Sequence, residues 1–224
     1  MELWNEIITE KSQRILFELK KEFNFIIIGG WACWFYTKTI KSKDLDLYIN
    51  FDDFFALQSA FLKHGITITL NQKLNKYEAV LDEIAIYIYT PHHCNLIIPC
   101  KDVFKNKWFK KQNGFKVIAP ELLLILKLEA EKQRTGTIKG FKDRIDILSL
   151  ISRIKIDKNF LIKLANSYKV DIKRINSIIK NSLKEYEYFF PEAKNLRALK
   201  KLKQELLKNS NRKKKNSNRK KTKR

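Results

Sequence analysis

Asp44 and Asp46 are separated by Leu45 and followed by Leu47. In a strand, the period of two puts both carboxylates on one face and both leucines on the other. Two carboxylates held side by side repel unless a cation lies between them. Mg²⁺ (or Mn²⁺) is the expected cation, because such ions bind through one or two carboxylates plus substrate phosphates. Gly29 and Gly30 supply the complementary half, a tight turn into a helix N-terminus whose free N–H groups can hold a phosphate. The surrounding residues must position these groups. Residues 25–28 are apolar and β-branched and read as a buried strand. Residues 31–36 form an apolar segment too short to cross a membrane. A basic turn over 38–43 then delivers Asp44.

Gly29-Gly30, a spacer of 13 residues and Asp44-Leu45-Asp46, with Ser42-Lys43 leading in, resemble the signature of the DNA polymerase β-like nucleotidyltransferase superfamily. The closest look is to small prokaryotic members of the toxin–antitoxin and abortive-infection type. The resemblance implies an α+β fold, a mixed β-sheet with flanking helices followed by a C-terminal helical bundle. It implies a metal-dependent enzyme that moves NMP from an NTP to an RNA (tRNA or rRNA) or protein acceptor. Asp44 and Asp46 would be the catalytic, metal-binding pair, and Gly29, Gly30, Ser42 and Lys127 would bind the nucleotide. Read without the resemblance, the same residues are a strand–helix–strand unit carrying two surface aspartates.

The third carboxylate is where the chain departs from the family. Members often read hydrophobic-Asp-hydrophobic-Tyr-x-Pro on a neighbouring strand, whereas this chain has Ile86-Tyr87-Ile88-Tyr89-Thr90-Pro91. Tyr87 stands where the acid would be. Asp82 and Glu83 fall at the expected turn of a hairpin formed by 77–81 and 84–89. At about 3.3 Å per residue they lie too far along the strand to substitute. The alternative is therefore a catalytically impaired protein that kept the fold and acts as an RNA- or ribosome-binding factor. An antitoxin-like partner is a third class, and no residue pattern supports it.

Composition bounds these readings. The 224 residues hold 46 Lys+Arg against 24 Asp+Glu, a formal charge of +22. Nine of the basic residues (Arg212, Lys213, Lys214, Lys215, Arg219, Lys220, Lys221, Lys223 and Arg224) crowd into 210–224, which has no acidic or apolar residue. Such a tail is expected to be disordered until it meets a polyanion, so these nine residues are candidate nucleic-acid contacts. A solubilising or targeting tail on a Lys-rich chain is the plainer reading. Cys33, Cys94 and Cys100 are odd in number and lack a CxxC spacing, which predicts a reducing, cytoplasmic setting. His92-His93-Cys94 with Cys100 has no familiar ligand spacing, so no structural zinc is expected.

The remaining pattern is helix and strand. Ile7, Ile8, Ile15, Leu16 and Leu19 predict an amphipathic helix over 3–23. Asp52-Asp53 are expected to cap a helix ending at His64-Gly65, and 66–70 alternate as a half-buried strand. Pro120 and Glu121 suit the first turn of an apolar helix, and a second helix spans 141–151. Lys127, inside the first of these helices, has two readings: contact with the nucleotide phosphates, or an i,i+4 pair with Glu131. By the resemblance, Asp146 would orient a basic residue or cap the pocket. Apolar stripes at Phe160–Tyr168, at 172–190 and at 196–206 predict a helical bundle. The expected domains are 1–118, 119–209 and the tail 210–224.

Overall fold

A computed structural model describes residues 3–182 together with residues 184, 185 and 204. The tail 210–224 and the apolar stripe positions from Leu183 onward lie outside the described residues. The chain opens with α1 (Glu6–Glu22), capped by Asn5, whose side chain accepts from the Ile7 N–H. The short strand β1 (Ile26–Ile27) follows, then α2 (Gly29–Thr37), β2 (Leu45–Tyr48) and α3 (Phe51–Lys63). Three strands come next, β3 (Thr69–Asn71), β4 (Lys76–Leu81) and β5 (Ile84–Tyr89). Then α4 (Cys100–Asn106) precedes the hairpin of β6 (Phe109–Gln112) and β7 (Phe115–Ile118). Helices close the described chain: α5 (Pro120–Gln133), α6 (Ile138–Arg153), α7 (Lys158–Ser167) and α8 (Arg174–Asn181).

The strands form one mixed sheet in the order β3-β4-β5-β2-β1-β7-β6. β1 runs antiparallel to β2 and parallel to β7, while β2 runs parallel to β5. The α+β class expected from the sequence is therefore the observed one. Ile26 and Ile27 of β1 are almost fully enclosed, whereas β2 and β5 bury one face through Leu45, Leu47, Ile86 and Ile88 and turn the part-buried Asp46 and Tyr87 to the other. α1 covers one face, where its buried Ser12 accepts a hydrogen bond from the Trp31 indole at 2.9 Å. α5 and α6 pack on α2, and Arg153 of α6 donates to the Thr37 carbonyl at the end of α2.

Three local expectations change. The cap of α3 is Asn50, which accepts from the Asp53 N–H at 2.9 Å; Asp52 and Asp53 sit in the first turn, where they complement the dipole. The strand expected at 66–70 starts only at Thr69, because the Ile66 N–H is held by the Phe61 carbonyl at the end of α3. The hairpin β6–β7 answers to no expectation, yet Asn113-Gly114 is its two-residue turn, with positive φ at both positions. That dipeptide is the strongest short-range hairpin signal a sequence carries. The β4–β5 hairpin agrees with expectation, and its Asp82-Glu83 turn is tied to α1 by Lys11 and Arg14.

Candidate active site

β1 ends where Ile28 hands the chain to α2, and Gly29 takes φ +66°, the left-handed region that a glycine enters without strain. The turn is forced by proximity as much as by conformation. A Cβ placed on Gly29 would fall 2.1 Å from Asp46 Oδ2, and one on Gly30 would fall 2.6 Å from Ser42 Oγ. The glycines thus let the backbone lie directly against the Asp46 carboxylate and the Ser42 hydroxyl. Ile28, the N-cap of α2, offers no side-chain cap, so the first-turn N–H groups have none from that residue. An uncapped helix N-terminus beside two carboxylates is suited to a phosphate bridged by a cation.

Asp44 and Asp46 line a cleft of about 500 Å³ with Gly29, Gly30, Ser42 and Lys127, so all six sequence-derived site residues outside the tail meet in one place. Asp46 is half-buried, and burial pushes its carboxyl up from the ordinary value. Lys127, Lys76 and Arg134 pull it down, Asp44 pushes it further up, and the upward effect prevails. The sign for stability follows. A carboxyl raised in the folded state favours folding below its unfolded pKa and loses that advantage as pH rises through its folded pKa. At neutral pH, Asp46→Asn is expected to raise the melting temperature of the ligand-free protein by about 2–4 °C, the response to roughly 1 kcal/mol in a chain of this size. The gap should close as the pH falls into the carboxylate range. A thermal melt series across pH checks this, and an unchanged or lowered midpoint at neutral pH contradicts it.

Lys127 does not make the i,i+4 pair with Glu131, although it lines the cleft. Its ammonium lies 2.9 Å from Asp143 Oδ1 and 2.8 Å from Asp146 Oδ2 of α6, while Glu131 instead pairs with Arg144 and Arg174. Asp146 also holds Lys142 at 2.9 Å, and Arg134 approaches Asp143 at 3.4 Å. Lys127, Lys142, Asp143 and Asp146 are each 7% exposed or less. Burial alone would lower the Lys127 pKa, but the two carboxylates outweigh it and hold the ammonium well above its ordinary value. Burial likewise opposes the Asp146 charge, and Lys127 with Lys142 hold its carboxyl below the usual range. Three cations share two carboxylates, which leaves this wall of the cleft with one positive charge in excess. The Lys142 ammonium would stand 3.0 Å from a Cβ on Gly30, so that excess reaches the glycine turn.

Lys142 is a residue the sequence reading left out of the site. Its i,i+4 spacing to Asp146 was the available signal. Lys76, Glu78 and Tyr87 also line the cleft, and they depend on strand register. Asp46 is paired with Tyr87 on β5, and Tyr87 with Glu78 on β4, so the three share one face. Burial, then the carboxylates of Asp44, Asp46 and Glu78, push the Tyr87 phenol up, so it stays neutral at physiological pH. Asp82 and Glu83 are far from Tyr87, as expected. His92 packs against Phe51 with the rings tilted, and His93 Nδ1 lies 3.0 Å from Asn75 Oδ1. Among the described residues no three His, Cys, Asp or Glu side chains form a metal-binding cluster. Asp44 and Asp46, which line the same cleft, are the kind of carboxylate pair that would suit a divalent cation completed by phosphate oxygens.

The chain is similar to solved nucleotidyltransferase-like structures. An antigenic nucleotidyltransferase-like protein of Paracoccidioides brasiliensis matches 81% of this chain and 96% of its own, at 16% identity and a TM-score of 0.44. A candidate nucleotidyltransferase from H. pylori matches 92% and 97%, at 15% identity and a TM-score of 0.48. The polyadenylate synthase of Megavirus matches 77% of this chain at 14% identity and a TM-score of 0.45, and this chain spans 38% of its length. No family model and no curated protein matches the chain. No helix among the described residues is long and apolar enough to cross a membrane.

Proposed function

We propose that the chain is a metal-dependent nucleotidyltransferase that moves NMP from an NTP to an RNA or protein acceptor. The observation that carries this reading is the close approach of Gly29 to the Asp46 carboxylate, which brings a helix N-terminus and an acidic pair to one point. In the reaction an acceptor oxygen forms a bond to the α-phosphorus. The bond from that phosphorus to the bridging oxygen breaks, pyrophosphate leaves with the electron pair, and the acceptor proton passes to water in the open cleft. The chain's own residues position and neutralise, as phosphoryl-type transfer requires. The N–H groups of Gly29 and Gly30 and the Ser42 hydroxyl hold phosphate oxygens. The excess charge of the Lys127–Lys142 wall draws the triphosphate in. Asp44 and Asp46 hold the cation, Mg²⁺ or Mn²⁺, which when bound offsets charge on the reacting phosphoryl oxygens.

Tyr87 favours a second reading, a protein that binds RNA or the ribosome without catalysis through its basic surface and the tail 210–224. Radiolabelled NTP incorporation into host RNA and protein decides between them. The wild-type chain is expected to label one of these pools, and Asp44→Ala with Asp46→Ala to abolish the label. Equal labelling by both proteins removes the enzyme reading, and labelling by neither leaves the binding reading.

A further inference from the structure

The face shared by Asp46, Tyr87 and Glu78 carries a cation at the point where a third carboxylate would project. Lys76 lies two residues before Glu78 on β4 and therefore on the same face. Its ammonium sits 3.3 Å from the centre of the Tyr87 ring and 3.0 Å from Glu78 Oε1. Asn71 donates to the same Glu78 oxygen at 3.2 Å, and Lys76 is 8% exposed. Among the described residues, Glu78 is the one oxygen partner of that ammonium. An ammonium has three N–H donors, so capacity remains for an anionic ligand. All three side chains line the cleft that holds Asp44 and Asp46.

Two-metal sites place cations roughly 3.5–4 Å apart and need carboxylates on both sides to hold them. Here the far side offers a neutral phenol and a fixed positive charge, which repels a second divalent ion instead of binding it. We propose that Lys76, seated on Tyr87 and oriented by Glu78, supplies the positive charge of a second metal ion, so that the site works with one divalent cation and one ammonium. The proposal rests on the transferase reading above. In it the ammonium meets the acceptor side of the α-phosphoryl group, where negative charge builds as the new P–O bond forms. Tyr87 is then a support and not a lost catalyst. Glu78 is a positioning residue that holds Lys76 over the ring.

The test counts metal ions. Free Mn²⁺ is measured by electron paramagnetic resonance with the α,β-methylene analogues of ATP, CTP, GTP and UTP. The wild-type chain is expected to take up one Mn²⁺ with bound nucleotide, and Lys76→Met with Tyr87→Asp to take up two. In the labelling assay Lys76→Met alone should lower kcat about 100-fold, the loss seen when one preorganised donor at developing charge is removed. Lys76→Arg, which keeps the charge, should recover most of it, whereas a purely structural lysine would show no such recovery. Far-UV circular dichroism confirms that each variant folds. Two Mn²⁺ on a wild-type chain that binds nucleotide overturn this proposal and leave the transferase reading standing. No nucleotide bound by the wild-type chain overturns both.

Discussion

Replacing Lys127 by Met is expected to destabilise the protein by about 3–5 kcal/mol, the cost of removing one partner from a buried ion pair. The methylenes of Met fill much of the space, so the loss is electrostatic. Asp143 and Asp146, 2% and 1% exposed, would lose the ammonium that touches both and keep only Arg134 and Lys142. The pH dependence gives the effect its signature. In the wild-type chain the Asp146 carboxyl is held below its ordinary value, so its contribution is present above the unfolded pKa and is lost as pH falls through the folded one. The difference between wild type and Lys127→Met should therefore be largest near neutrality and shrink in acid. Urea unfolding across pH measures it. A difference under about 1 kcal/mol at neutral pH would place Lys127 among ordinary surface pairs and contradict the burial argument.

Gly29→Ala separates the site from the scaffold. The left-handed conformation at Gly29 costs a non-glycine residue roughly 1–2 kcal/mol, a loss the fold should survive. The site should not. A methyl group 2.1 Å from Asp46 Oδ2 cannot coexist with the carboxylate, which must rotate or shift with its strand. A displacement near 1 Å at the reacting centre costs about 100-fold in rate. The expected result is a protein that melts only slightly early yet transfers nucleotide about 100-fold more slowly. The labelling assay and a thermal melt on the same preparation test the pair of statements, and full activity in the variant refutes the proposed role of Asp46 as a metal ligand.

How much of this was legible depends on how local the information is. Gly29, Gly30, Asp44 and Asp46 could be read because a strand, a tight turn and a second strand all lie within 25 residues. Tyr87 could be placed because its strand carries its own alternation and a stop at Pro91. Lys76 and Glu78 could not, since their membership in the site depends on register across two strand pairs, which their own segment does not encode. The Lys127 partners were hidden for a related reason. Glu131 was the neighbour along the helix, but α6 packs alongside α5 and brings two carboxylates closer. The Asn113-Gly114 turn is a legible hairpin signal, and it marks the strand that flanks β1 next to the edge of the sheet.

That strand gives the sheet a history in time. β1 has two partners, and they leave the ribosome far apart. Ile26 meets Tyr48 on one side and Lys116 on the other, so 68 residues of synthesis separate its first neighbour from its second. At about 5–20 residues per second, the nascent chain carries an open apolar strand edge for roughly 3–14 seconds. Through that interval the glycine turn that follows β1 is anchored on one flank alone. An exposed strand edge is a template for pairing with another chain, and for β1 that exposure falls in those seconds of synthesis.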